Sequence, residues 1–155
     1  MKHANVLLFG GREDQVVHII GLIPFGFTPH IYPLEYYPGP GELPPGRVVF
    51  LVLADPDFSK GLEKLRQLRA DFPSTPAIFV TTDPTRTVIL QAFRAGAADL
   101  LTFPVVAHEL LRALGQAGAR ATGGKIALLQ RIRQKLHHWR SWWRRHSGSG
   151  RPPSH

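Results

Sequence analysis

The chain is predicted to fold as an α/β domain, a five-stranded parallel sheet wound on both faces by helices, with one amphipathic helix added at its C-terminal end. Short apolar runs alternate with segments of helical periodicity through the first 118 residues. Those runs are apolar throughout rather than alternating, as strands covered on both faces are. Beyond a glycine-bearing stretch, the composition then turns abruptly basic.

The elements follow in order. Residues 4–9 (ANVLLF) form an apolar run ending at Gly10-Gly11 and read as a buried strand. Residues 13–22 carry Val16, Val17, Ile19, Ile20 and Leu22 and read as a helix. Residues 28–33 make a weak strand. Residues 34–46 hold four prolines and three glycines, which argues against a long helix there. Residues 48–54 (VVFLVLA) are the strongest strand signal in the chain. Residues 61–72 space Leu62, Leu65, Leu68 and Phe72 as one face of a helix. A strand is expected over 77–81, a helix over 84–95 between Pro84 and Gly96, a strand over 98–102 and a helix over 105–117. Five strands in about 115 residues suit the flavodoxin-like doubly wound order 2-1-3-4-5. The expected organisation is a domain over 1–118, a linker over 119–124, a basic helix over 125–146 and a disordered tail over 147–155.

Charge sharpens that division. Residues 1–119 hold ten Lys/Arg and all eleven Asp/Glu, a net of −1, whereas residues 120–155 hold nine Lys/Arg and no acid. A near-neutral domain with a cationic arm differs from a basic domain. There is no cysteine, so no disulfide framework or thiolate metal site is expected. The N-terminal apolar run is too short for a signal peptide, and no run approaches a bilayer span, so a cytoplasmic location is expected.

Specific motifs then come together. "FLVLAD" ends a strand on Asp55, and "GLEKLRQLR" follows. "TPAIFVTT" ends a strand near Thr81, and "AFRAGAADLLTFPVVAHELLRAL" closes the domain. Residues 48–114 thus resemble the second half of a response-regulator receiver domain, and the resemblance covers about three quarters of the chain. It implies Asp55 as phosphoryl acceptor, Thr81 as switch hydroxyl and Leu100 at the aromatic switch position. It also implies an acid pair after the first strand to hold Mg²⁺, and a lysine before the proline after the fifth. Here Gly10-Gly11 replace the acid pair and Phe103 replaces the lysine. Phosphoryl transfer depends on positioning and charge neutralisation, so these losses predict a degenerate site. The expected protein is a pseudo-receiver, neither an enzyme nor a holder of metal or cofactor, acting in two-component signalling or a phosphorelay. A working phospho-acceptor is the alternative, with Glu13, Asp14 or Asp57 supplying shifted metal ligands. Asp55-Pro56-Asp57 is also good turn chemistry. No GxGxxG, GxxxxGK[ST] or HExxH occurs, and the eight histidines are scattered.

The resemblance also implies a protein-partner face over residues 84–117. The basic helix carries a stripe of Ile126, Leu129, Ile132, Leu136, Trp139 and Trp142/Trp143. Arg131, Arg133, Lys135, Arg140, Arg144 and Arg145 accompany it as contact candidates. Partner binding or self-association through the stripe ranks first, on its near-heptad step. Contact with an anionic membrane ranks second and nucleic acid third, which makes a nucleic-acid-associated regulator a further alternative. The plainest reading folds the stripe back onto the domain. No small-molecule substrate is expected.

Overall fold

The computed structural model describes residues 4–55, 57–118 and 124–146. Of residues 118, 124–128, 131, 142, 143 and 146, only the backbone is described. The chain runs β1 (Ala4–Phe9), α1 (Glu13–Leu22), β2 (Phe27–Tyr32), β3 (Arg47–Leu53), α2 (Phe58–Asp71), β4 (Ala77–Thr81), α3 (Arg86–Arg94), β5 (Asp99–Thr102), α4 (Ala107–Gly118) and α5 (Gly124–His146). The five strands form one parallel sheet in the order β2-β1-β3-β4-β5. This is the expected doubly wound fold.

Side chains of successive strand residues point to opposite faces, so each strand feeds two cores. Leu7, Phe9, Phe50, Val52, Phe79 and Leu100 face one side, where Leu62, Leu65 and Leu68 of α2 and Ile89, Ala92 and Phe93 of α3 cover them. Val6, Leu8, Leu51, Leu53, Ile78, Val80 and Leu101 face the other, under Ile19 of α1 and Leu110, Ala113 and Leu114 of α4.

Capping chemistry sets two boundaries that periodicity misplaces. α2 starts at Phe58, three residues before the expected position, because the Asp57 carboxylate accepts from the N–H groups of Ser59 and Lys60. α3 starts at Arg86 because the Thr85 hydroxyl accepts from Val88 N–H.

The proline-rich segment between β2 and β3 contains no helix, and aromatic rings cover the sheet in its place. Tyr32 stacks on Phe9 at 5.5 Å and Tyr36 on Tyr32 at 4.7 Å. The Lys64 ammonium of α2 lies over the rings of Phe9 and Tyr37 and donates to the Tyr36 carbonyl. Burial draws the Lys64 pKa down, and Glu35 opposes that shift. The Tyr37 hydroxyl donates to Asp71, and burial together with that carboxylate pushes its pKa up to about 12.

At the other edge α5 lies back on the domain beside α3. Trp139 is buried among the residues of the first core, with Ile132 and Leu136 packed against it. Lys135 Nζ meets Asp99 Oδ1 of β5 at 3.3 Å, both side chains largely buried. Of the stripe expected to meet a partner, Ile132, Leu136 and Trp139 pack internally, because β5 and α3 leave apolar surface that the helix covers, whereas Leu129 stays exposed. The side chains of Arg131, Trp142 and Trp143 lie outside the described residues, as do residues 119–123 and 147–155. Among the described residues, no helix is long and apolar enough to cross a membrane.

Removing a buried indole costs about 3–5 kcal/mol where the site cannot relax. In Trp139→Ala the loss is bounded by the docking free energy of α5, since the helix can leave while the sheet stays folded. Faster tryptic cleavage within α5 is expected, with little change in the main thermal transition. Unchanged cleavage would show that Trp139 does not hold the helix.

Candidate functional site

The carboxyl ends of β1, β3 and β4 bring Gly10, Gly11, Asp55, Thr81 and Thr82 to one end of the sheet. Gly10 and Gly11 have φ of 80° and 89°, a region that costs other L-residues about 1–2 kcal/mol each. Their N–H groups donate to the carbonyls of Tyr32 and Asp55 at 3.1 and 3.2 Å. A Cβ on Gly11 would lie 2.3 Å from Leu53 Cδ2. This turn therefore disfavours the acid pair that the resemblance implies at these positions.

Asp55 is half-buried, and both its oxygens accept hydrogen bonds. Gln15 Nε2 donates to Oδ2 at 2.6 Å, and Thr82 Oγ1 donates to Oδ1 at 3.3 Å. Gln15 is buried in the first turn of α1, and its Oε1 accepts from Arg12 N–H at 3.0 Å. That bond sets the amide orientation: Oε1 faces an N–H, so Nε2 faces the carboxylate.

Sequence reasoning missed Gln15 and Thr82. Gln15 follows the Arg12 N-cap by three residues, the spacing from which a Gln side chain reaches back to the N-cap N–H, but Arg12 is not a Ser or Thr cap, so that spacing is its only signal in the sequence. Thr82 follows Thr81 directly, and only the strand end shows which hydroxyl turns toward Asp55. Thr81 is buried, and its hydroxyl accepts from Asp83 N–H at 3.1 Å. The hydroxyl that meets Asp55 in this structure is thus Thr82's, while that of Thr81 is turned to the backbone after β4.

Phe103 packs against the second core and sits edge-on to His18 of α1 at 5.1 Å. The His18 ring in turn hydrogen-bonds the Val105 carbonyl at 2.9 Å. An apolar ring thus stands where the resemblance implies a cationic lysine. Leu100 is buried beside Trp139 in the first core.

The Mg²⁺ site implied by the resemblance does not fit these residues. Glu13, Asp55 and Asp57 line one cavity of about 480 Å³ with Tyr32, Leu34, Glu35 and Lys60. Asp55 already accepts from Gln15 and Thr82, Asp57 caps α2, and Asp14 pairs with Arg12 at 3.2 Å. Among the described residues, no three His, Cys, Asp or Glu side chains converge as metal ligands.

The partner face implied over residues 84–117 is altered as well. α5 covers the part made by α3 and β5, where Ile89, Leu100 and Thr102 share a cavity with Lys135, Trp139 and Arg145. Val106 and Leu111 stay exposed.

No protein-family model matches the chain, and no curated protein does. Solved structures match in fold. A response regulator receiver protein from Pseudoalteromonas atlantica is 18% identical with a TM-score of 0.60, over 76% of this chain and 99% of its own. A two-component response regulator from Clostridium difficile is 16% identical with a TM-score of 0.63, over 77% and 99%. The signal receiver domain of an HD domain-containing protein from Pseudomonas fluorescens Pf-5 is 23% identical with a TM-score of 0.59, over 75% and 94%. The chain has the fold of receiver domains.

Gln15→Glu would set a second carboxylate against Asp55, and like charges this close raise the pKa of the pair. A raised folded pKa gives stability that is present in acid and lost as pH rises. Relative to wild type, Q15E is expected to be least stable near pH 7 and to recover toward about pH 4. Gln15→Ala should show no such slope. Equal pH dependence of the two variants in thermal melts would contradict the contact.

Proposed function

We propose that this chain is a receiver-type signalling module that works through protein contact without phosphoryl transfer at Asp55. The carrying observation is the Gln15 amide on the Asp55 carboxylate, in a pocket with Gly10-Gly11 in place of acids and Phe103 in place of a lysine.

An acyl phosphate on Asp55 would turn one carboxylate oxygen, now bonded by Gln15 or Thr82, into the bridging oxygen and set a dianionic phosphoryl group beside it. The charge stabilisation that would offset them is lost at two places. One well-placed stabilising group is typically worth about 3–4 kcal/mol, or roughly 10²–10³ in rate. Two such losses put transfer roughly 10⁴–10⁶ below that of a complete site. Gln15 and Thr82 then act as holders of the Asp55 loop, with Asp55 a structural acceptor.

Signalling in this reading rests on the α3–β5–α4 surface over residues 84–117. Because α5 lies on the α3–β5 part, its docking sets how much of that surface a protein partner meets. A phosphorylation-dependent regulator is the competing reading, favoured by Asp55 and a nearby hydroxyl from Thr82.

Incubation with Mg²⁺ and acetyl phosphate, read by intact mass and acid-labile phosphate, tests the choice. No Asp55-dependent adduct is expected, and beryllofluoride should leave the spectrum unchanged. An adduct that disappears in Asp55→Ala would overturn the proposal.

A further inference from the structure

We infer that the outward face of α5 docks the phosphate backbone of nucleic acid, without reading base sequence. Residues 124–146 contain seven Lys/Arg and no Asp or Glu. Lys135 turns inward to Asp99, whereas Arg133, Arg140, Arg144 and Arg145 are exposed. Among the described residues the ion pairs are Arg12–Asp14 and Lys135–Asp99, so these four guanidinium groups have no carboxylate partner there.

Position along the helix makes them a strip. Arg133, Arg140 and Arg144 are seven and four residues apart, which places them on one side of α5 over about 16 Å of axis. Guanidinium groups suit phosphate oxygens by their planar fork of donors. The charge of the whole chain points the same way. The formal charge is +8, and residues 120–155 carry all of the excess. A polyanion is attracted by both the strip and the net charge, while a second copy of the chain is repelled.

Docking of α5 decides between polyanions. An interfacial membrane helix needs its apolar face at the acyl boundary. Here Ile132, Leu136 and Trp139 already pack against the sheet domain. A protein interface of ordinary strength needs apolar anchors among its charges. Beside these arginines the described exposed apolar side chain of α5 is Leu129. Binding to a phosphate backbone needs only cations and donors in a row.

Fluorescence anisotropy of the full chain with a labelled 24-base-pair duplex of mixed sequence, across a NaCl series, tests this. Binding at roughly 10⁻⁴–10⁻⁶ M is expected at physiological salt, with log K falling against log salt at a slope of about −3 for three to four contacts. R133A/R140A/R144A should flatten the slope to about −1 or shallower, since at most Arg145 of the four remains. R12A/K60A/R66A removes as many charges elsewhere and should leave it nearly unchanged. The altered side chains are exposed, and circular dichroism checks the fold of each variant. Single reversal by R140E should weaken binding in the same direction. Absence of duplex binding, equal loss in both triple variants, or sedimentation with phosphatidylglycerol vesicles without duplex binding would each overturn the inference.

Discussion

A parallel sheet presents two apolar faces, and each strand side chain left uncovered on either face stays in water. Burial is worth roughly 25 cal/mol per Å² of apolar surface, so the chain must supply cover across the full width of the sheet. α1 and α4 meet the need on one face. On the other, α2 and α3 leave both edges open. Near β2 the segment after Tyr32 carries prolines and cannot be a helix, so Tyr32, Leu34, Tyr37 and Leu43 cover the sheet instead. Near β5 the cover comes from Trp139 on α5. The two unusual features of the fold thus answer one demand.

The same constraint shapes the site. β1 and β3 run side by side under both cores, so the chain leaves β1 by a tight turn against Leu53. Glycines with positive φ make that turn, and they bring no carboxylate to it. Asp55 still needs partners because it is half-buried. Gln15 and Thr82 supply them with neutral donors. The pocket is therefore satisfied by hydrogen bonds among its own side chains.

α5 has two unlike sides that do separate work. Ile132, Leu136, Trp139 and Lys135 are spent on the domain, and the Lys135–Asp99 pair tolerates burial because each charge answers the other. Its arginines stay in water, where a helix without acids has nothing of its own to pair with.

The sequence by itself determined the five strands and the absence of a helix between β2 and β3. Those follow from apolar runs and from proline, which act locally. It also carries Gly10-Gly11 and Phe103 where the resemblance implies acids and a lysine, since identity at a position needs no geometry. Tertiary structure alone decided which hydroxyl meets Asp55, because Thr81 and Thr82 are neighbours and the turn after β4 chooses between them. It alone paired Gln15 with Asp55 across 40 residues of chain. It alone placed Ile132, Leu136 and Trp139 of the α5 stripe on the domain. Periodicity shows that a helix has an apolar side, and only the packing of the whole chain shows what lies against it.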